Sequence, residues 1–374
     1  MSRSPPCPPR ALAALSAPAL VGRLTLVEAH GAEAHAPWDG AVAIPARDEA
    51  GALPGCLAAL GTALGAVRAR IGVVVAVNNS RDASAVVARR ALAREGLPHL
   101  VLDLALHGRA AHVGTARRAG LDVARRLVRD GGVLATTDAD ARVHPDWMRA
   151  TLAEIGAGAE MVCGRVEWED TSLFARFRGG AAEEGAYKRA CLALADRLDP
   201  DPLNPLPHHG TPAGASLAAT CGCYDAIGGM PRLPLAEDRA FAARALRHDR
   251  AVRYSPHVRV TASCRLDGRA AGGMADAIRT RLSDPDPLCD ELLEPAVTLH
   301  RRASLRGRLR RAWAEPEARA AVLHAEGLGE PGACGFGAGW ARIEARHPAL
   351  ARRRLRASEL AAQLAEARAL LEAP

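Results

Sequence analysis

Short apolar segments alternate with helix-forming segments along the first half of the chain, and this alternation limits the fold more than any other feature. Stretches of helical spacing separate four apolar runs, at 41–45, 71–77, 100–104 and 132–135. Repeated alternation of strands and helices is typical of a mostly parallel sheet covered by helices. We therefore predict an α/β fold, with further strands at 161–166 and 252–260.

Composition divides the 374-residue chain into three parts. Residues 1–37 carry Pro, Ala and His without a sustained period, which predicts a flexible N-terminal tail. Residues 38–280 contain the alternation and are predicted to form the main domain. Residues 281–374 are rich in Ala, Leu, Arg and Glu at helical spacing, which predicts a helical C-terminal extension. A structural cap, a dimer surface and a membrane-facing element are open roles for this extension, and we favour the cap.

Polar clusters follow three of the predicted strands, at 47–49, 78–82 and 138–140. Because the carboxyl ends of parallel strands meet at one edge of a sheet, we expect these clusters to converge on one ligand. Asp138 and Asp140 supply carboxylate oxygens, which are the ligands that Mg²⁺ and Mn²⁺ prefer. The alternative is that each cluster is a turn with helix-capping residues, since Asn, Ser and Asp favour such positions.

A further acidic pair, Glu237-Asp238, opens the helical stretch 237–248 after the turn signal Gly228-Gly229. Acidic residues at a helix N-terminus are stabilised by the helix dipole, which is a sufficient structural explanation. The functional alternative is a general base close to an acceptor hydroxyl.

The order of these motifs resembles glycosyltransferase family 2. The motifs that carry the resemblance are Ile44-Pro45-Ala46-Arg47-Asp48-Glu49, Asn78-Asn79-Ser80-Arg81-Asp82, Asp138-Ala139-Asp140, Gly214-Ala215-Ser216, Gly228-Gly229 and Glu237-Asp238. The resemblance covers about residues 40–265. It implies the GT-A fold, in which a nucleotide-binding α/β half is joined to an acceptor half.

The resemblance also implies roles on the donor side. Residues expected to contact a nucleotide-diphospho-sugar are Pro45, Arg47, Glu49, Asn78, Arg117 and Asp138. Asn78 falls where such enzymes often have an aspartate that reads the base, and an amide leaves uracil or guanine open. Asp140 and Asp138 would ligate Mn²⁺ or Mg²⁺, with His257 as a third metal ligand. Apart from the resemblance, Arg265 and Arg269 are candidates for a glycine-rich loop that closes over phosphates, with ordinary loop chemistry as the alternative explanation of the glycines.

On the acceptor side, the resemblance implies that Asp238, beside Glu237, is the catalytic base. It would deprotonate the acceptor hydroxyl as that oxygen attacks the anomeric carbon, which gives inversion. Residues expected near the acceptor are His209, Gly214, Ala215 and Ser216. The Gln-X-X-Arg-Trp motif of processive synthases is absent from the sequence. We therefore expect a non-processive, hexosyltransferase-like enzyme acting on an unknown hydroxyl acceptor.

Other classes fit less well. A sugar nucleotidyltransferase would carry an early Gly-rich phosphate loop with a suitably placed Lys, which this sequence lacks. A Rossmann oxidoreductase would carry Gly-X-Gly-X-X-Gly after its first strand, and this motif is absent there as well. The net charge of +7 suits phosphate-bearing ligands or peripheral contact with an anionic membrane. A nucleic-acid-binding protein would need stacking aromatics, which make up only 3% of the chain.

Nine cysteines without framework spacing favour a cytoplasmic protein with reduced thiols, and no apolar stretch is long enough to span a membrane.

Overall fold

The computed structural model describes residues 9–16, 22–31, 37–177, 180–268 and 272–373. The chain divides into two units. The first consists of Met1–Glu169, Thr211–Ala245 and Arg250–Gly273. The second consists of Asp170–Gly210, Leu246–Asp249 and Met274–Pro374. The second unit therefore includes a segment from the middle of the chain in addition to the predicted extension at 281–374.

Within the described residues, nine strands form one sheet in the first unit. They are β1 (Leu24–Gly31), β2 (Trp38–Ala46), β3 (Ile71–Asn78), β4 (His99–Leu106), β5 (Val128–Thr136), β6 (Arg142–Val143), β7 (Met161–Trp168), β8 (Leu217–Thr220) and β9 (Val252–Ala262). Their spatial order is β1-β4-β3-β2-β5-β8-β7-β9-β6.

Most of this sheet is parallel. β2 pairs in parallel with β3 and β5, β3 pairs in parallel with β4, and β7 pairs in parallel with β9. The short strands β6 and β8 and the edge strand β1 run antiparallel to their neighbours. The predicted α/β fold class is confirmed. The polar clusters that follow β2, β3 and β5 therefore leave the sheet at the same edge.

Helices cover both faces of the sheet. Those of the first unit are α1 (Pro9–Leu12), α2 (Leu53–Gly65), α3 (Ser84–Arg94), α4 (Val113–Leu127), α5 (Trp147–Gly156), α8 (Cys221–Ala226) and α9 (Glu237–Arg247), the last of which only begins there. On one face α2, α3 and α5 bury Leu57, Leu92 and Trp147 completely. On the other face lies α4, whose approach to the sheet depends on small residues.

Close packing of α4 explains how the core forms with few aromatic residues. A Cβ atom at Gly120 would lie 3.4 Å from the Cβ atoms of Ala43 and Ala76. Ala43 and Ala76 belong to β2 and β3, where alternate residues face the two sides of the sheet. The larger neighbours Ile44 and Val75 therefore point to the opposite face.

Part of the segment for which the sequence predicted a tail has regular structure. β1 pairs with β4 along the sheet edge, and α1 is followed by a 3₁₀ helix at Ala13–Ser16. Ala11 and Leu15 are buried in the core together with residues of α4. The prediction of a flexible tail is therefore corrected for these stretches; residues 1–8, 17–21 and 32–36 lie outside the described residues.

The second unit is helical. Its helices are α6 (Ser172–Ala175), α7 (Ala181–Leu198), α10 (Met274–Ser283), α11 (Ala296–Ala312), α12 (Pro316–Ala325), α13 (Phe336–Arg346) and α14 (Leu360–Glu372). One apolar cluster gathers around Tyr187 and Leu360, and another around Leu309 and Ile343. In the described part of the chain, no helix has the length and apolar character needed to cross a membrane.

Candidate active site at the carboxyl edge of the sheet

The loops that follow β2 and β3 are bound to each other. The backbone N–H of Asp48 donates to Ser80 Oγ at 3.0 Å, and Asp48 Oδ1 accepts from the backbone of Arg81 at 2.7 Å. The backbone N–H of Glu49 donates to Ser84 Oγ at 2.8 Å. The polar clusters at 47–49 and 78–82, which we predicted to lie at one edge of the sheet, are therefore joined by direct hydrogen bonds.

Left-handed backbone conformations mark this edge. Asp48, Asn79 and Ala236 have φ angles of 52°, 49° and 56°. Asn and Asp tolerate this region, whereas for Ala it costs roughly 1–2 kcal/mol. Ala236 immediately precedes Glu237, so the strained residue lies where the chain turns into α9 and positions the acidic pair.

The two asparagines after β3 have different environments. Asn79 uses its amide to pair with the backbone of Leu106, at 3.1 Å to the carbonyl and 3.0 Å from the N–H. Asn78 is 4% exposed, and within the described residues its side chain has no hydrogen-bond partner. Because a buried amide is costly without a partner, Asn78 is suited to contact a ligand at the strand end.

Arg117 of α4 connects β5 with the acidic pair of α9. It is 2% exposed, and its Nη2 donates to Asp138 Oδ1 at 2.7 Å while its Nε donates to Glu237 Oε1 at 3.2 Å. Nη1 donates to Thr136 Oγ1 at 2.8 Å and to the Gly214 carbonyl at 2.9 Å. Although burial opposes it, Asp138 and Glu237 raise the pKa of this guanidinium. Four of the five N–H groups of this side chain bind protein partners, so its contacts support a positioning role better than the predicted contact with the diphosphate.

Arg265, which follows β9, links Glu49 to Asp140. Its Nη1 donates to Glu49 Oε2 at 2.7 Å, and its Nη2 contacts both Glu49 Oε1 and Asp140 Oδ2, the latter at 3.1 Å. Burial and the Asp138 carboxylate nevertheless raise the pKa of Asp140 to about 6. Arg269, which we grouped with Arg265, lies outside the described residues.

The acidic pair of α9 has two distinct members. Glu237 is buried, and burial raises its pKa although Arg117 opposes this shift. Asp238 is partly exposed; its Oδ2 accepts from the backbone N–H of Gly214 at 2.8 Å and its Oδ1 from that of Arg239 at 2.7 Å. Asp238 is therefore the more accessible of the two carboxylates.

Several residues predicted to contact the acceptor have other environments. Ser216 is 1% exposed, and its hydroxyl accepts from Trp147 Nε1 at 2.8 Å inside the core. That prediction is corrected, because a hydroxyl held in the core cannot face an acceptor. Ala215 is buried, and Gly214 binds Arg117 and Asp238 through its backbone. His209 belongs to the second unit, and its role stays a prediction.

His257 does not join the two aspartates. The strand β9 continues beyond it to Ala262, and Thr261 pairs with Arg142, two residues after Asp140. Before Thr261, the register of β9 with β7 jumps from Ser255 to Arg259, so His257 lies in an irregular part of the strand. Within the described residues His257 forms no metal-binding group with Asp138 and Asp140, so its assignment as a third metal ligand is not supported. Across the described ranges, no three His, Cys, Asp or Glu side chains form a group that could hold a metal ion.

The remaining donor set still fits a divalent cation. Asp138 and Asp140 each bind an arginine through one carboxylate oxygen. In the described part of the chain, their second oxygens have no hydrogen bond or ion pair with another side chain. Mg²⁺ is typically bound by one or two carboxylates together with substrate phosphates and water. Two carboxylates with free oxygens are therefore sufficient when the ligand supplies phosphate oxygens.

A separate groove of about 880 Å³ lies at the other end of β5. Its lining includes Arg118, Arg125 and Asp225, and Arg125 pairs with Asp225 at 2.8 Å. This groove begins beside Val128, where β5 starts, while Asp138 follows the end of the strand. It is therefore not the acidic site.

Comparison with known proteins identifies the sheet-bearing region. Residues 41–198 match the family model described as Glycosyl transferase family 2. The chain carries a family 2 glycosyltransferase domain. The matched segment contains the clusters after β2, β3 and β5, so the predicted resemblance is confirmed and the protein is a glycosyltransferase. No curated protein sequence matches the chain.

Solved glycosyltransferase structures are similar to the chain at low identity. Mannosyltransferase PcManGT from Pyrobaculum calidifontis, in complex with GDP-Man and Mn²⁺, is 19% identical over 90% of this chain and 88% of that chain, with a TM-score of 0.44. S. aureus TarS 1–349 in complex with UDP-GlcNAc is 15% identical over 88% of this chain and 87% of that chain, with a TM-score of 0.45. The M. tuberculosis glucosyl-3-phosphoglycerate synthase is 16% identical over 66% and 79%, with a TM-score of 0.38. No role for a residue of this chain follows from likenesses this distant.

Proposed function

We propose that this glycosyltransferase moves one sugar per encounter from a nucleotide-diphospho-sugar to a hydroxyl acceptor, with inversion and with a divalent cation as cofactor. The observation that carries the proposal is the pairing of carboxylates from separate chain segments by two arginines. Arg117 binds Asp138 and Glu237, and Arg265 binds Glu49 and Asp140. These contacts gather acidic groups at the sheet edge where α/β proteins bind ligands.

On the donor side, Asp138 and Asp140 are the residues that would hold Mn²⁺ or Mg²⁺. The cation would stabilise the charge of the departing nucleoside diphosphate as a Lewis acid. Asn78 would bind the base, because its buried amide has a donor and an acceptor that the described residues leave unused. Pro45 and the exposed Arg47 are proposed to lie against the nucleoside.

On the acceptor side, Asp238 is proposed as the general base. It would accept the proton of the acceptor hydroxyl while that oxygen attacks the anomeric carbon from the face opposite the diphosphate. The hydrogen bond from Gly214 fixes its orientation. Glu237 is unsuited to this task because it is buried against Arg117, and we assign it to positioning.

Release of nucleoside diphosphate tests this function. Purified protein is incubated with UDP- and GDP-linked sugars and Mn²⁺, and slow hydrolysis of one donor class is expected. Asp140→Ala should abolish the release. Asp130→Ala is the matched control, since Asp130 lies near the start of β5 with 95% of its side chain exposed and should retain the wild-type rate. Equal rates in the Asp140 and Asp130 variants would remove the cation from the mechanism.

A further inference from the structure

We propose that Arg265 has two alternating partners, the Asp140 carboxylate when the site is empty and the donor diphosphate when a divalent cation occupies Asp140. The proposal rests on the function proposed above and adds a donor-binding residue to it. Arg265 would remain attached to Glu49 in both states.

The contacts of Arg265 differ in strength and in exposure. Glu49 binds both Nη1 and Nη2, and its side chain is 7% exposed. Asp140 binds only Nη2, at 3.1 Å, and its side chain is 26% exposed. A bidentate pair with a buried carboxylate is geometrically specific, whereas the contact with Asp140 is a single one at the open side. Glu49 can therefore anchor the guanidinium while the contact with Asp140 changes.

Within the described residues, two neighbouring arginines are already held by other partners. Arg117 donates to Asp138, Glu237, Thr136 and the Gly214 carbonyl. Arg142, two residues after Asp140, instead pairs with Glu169 at 3.1 Å. Among the described residues, Arg265 is thus the cation that pairs with Asp140.

Occupation of Asp140 by a divalent cation would make this arrangement unfavourable. Two cationic groups would then share one carboxylate, and their repulsion favours release of Arg265 Nη2. The freed Nη2 N–H can donate to a phosphate oxygen while the pair with Glu49 is kept, and hydrogen bonds from a guanidinium to phosphate are charge-assisted. Arg265 would in this way compete with the metal in the absence of donor and support donor binding in its presence.

Opposite effects on two ligands are the test of this proposal. Binding of Mn²⁺ alone is measured by electron paramagnetic resonance, and binding of UDP and GDP by calorimetry at saturating Mn²⁺. In Arg265→Gln, Mn²⁺ alone should bind several-fold more tightly than in the wild type. The nucleoside diphosphate should bind about 10-fold to 100-fold more weakly, as expected for lost hydrogen bonds to a charged group.

Arg142→Gln is the matched control, because it removes one positive charge near Asp140 without removing a contact to it. Its Mn²⁺ affinity should change less than that of Arg265→Gln. Arg265→Lys, which keeps the charge but not the paired geometry, should restore the wild-type Mn²⁺ affinity with weak diphosphate binding. Arg265→Lys also replaces Arg265→Gln as the test variant if thermal unfolding shows that Arg265→Gln does not fold. Weaker or unchanged Mn²⁺ binding in Arg265→Gln, or unchanged Mn²⁺ binding between Arg265→Lys and a folded Arg265→Gln, would overturn the proposal. A wild-type protein that binds neither Mn²⁺ nor diphosphate would instead overturn the proposed function.

Discussion

Arg117 Nη2 lies 2.7 Å from Asp138 Oδ1, although Arg117 belongs to helix α4 and Asp138 to the loop that follows β5. The same guanidinium binds Glu237, which immediately precedes the proposed base. One buried cation therefore connects the carboxylate proposed to hold the metal with the helix that carries Asp238. The donor and acceptor sides of the site share this positioning group.

Replacement of Arg117 by Met should destabilise the protein by about 3–5 kcal/mol, because it leaves Asp138 and Glu237 without their buried partner. Arg126→Met is the control on the same helix, since Arg126 is exposed and its loss should cost less than about 0.5 kcal/mol. Chemical denaturation of both variants measures the difference. Equal stability of the two would show that the buried pairs contribute little.

Asp238→Asn should separate binding from chemistry. The amide oxygen can still accept from Gly214 although the contact with the Arg239 N–H is lost, and neither contact involves a proposed donor-binding residue, so the donor affinity should persist. Sugar transfer should fall by about 100-fold or more, as for loss of a general base. Asp225→Asn, at a site that is 51% exposed beside Arg125, is expected to transfer sugar normally. Steady-state transfer together with calorimetric donor binding gives the comparison, and normal transfer by Asp238→Asn would exclude it as the base.

The pKa of Asp140 predicts a pH effect on the stability of the metal-free protein. Its folded-state pKa is about 6, above the ordinary 3.8, so the folded state binds a proton more readily than the unfolded state. Protonation of Asp140 therefore stabilises the folded state relative to the unfolded state. This stabilisation is fully present below pH 3.8 and is lost as the pH rises to about 6. At pH 7 in a chelator, Asp140→Asn should therefore be more stable than the wild type, by up to about 3 kcal/mol. Denaturation curves at pH 4 and pH 7 should show the gain only at the higher pH; a gain of equal size at both would contradict this ionisation.

Gly114 permits a close backbone approach that positions the segment leading to Asp238. A Cβ at Gly114 would lie 2.2 Å from the carbonyl oxygen of Leu233, five residues before Asp238. Gly114→Ala should push this segment away, lowering stability by about 1–3 kcal/mol and reducing kcat. Gly222→Ala, also in a helix but with open space around the added atom, is the control: it should leave kcat unchanged and raise stability by up to about 1 kcal/mol, because Ala is favoured over Gly in helices. Wild-type kcat in Gly114→Ala would show that the approach does not matter.

Local patterns predicted the strands β2, β3 and β5 and the polar residues after them, because apolar runs and turn-forming residues are visible in short windows. The pair formed by Arg265 and Glu49 joins residues 216 positions apart, and no short window contains both. Position within a strand was also hard to judge. The last strand was predicted at 252–260, yet the pairing of β9 with β6 and β7 carries it two residues further, to Ala262.

Ser216 shows a different limit of sequence reasoning. Its motif, Gly214-Ala215-Ser216, matches the family pattern, but its hydroxyl is taken up by Trp147 in the core. A small polar residue near a site can serve packing or binding, and only its neighbours decide which. β1 escaped prediction because it is a half-exposed edge strand whose residues alternate weakly.

The same edge strand has a consequence for how molecules of this protein behave at high concentration. Without β1, the straight strand β4 would present unpaired backbone groups to other molecules and could extend the sheet from one molecule to the next. β1 itself is irregular, since its register shifts between Leu26 and Glu28, and Glu28 is bound by Arg89. An irregular edge strand that carries charge pairs poorly with further strands, so β1 disfavours aggregation through the sheet edge.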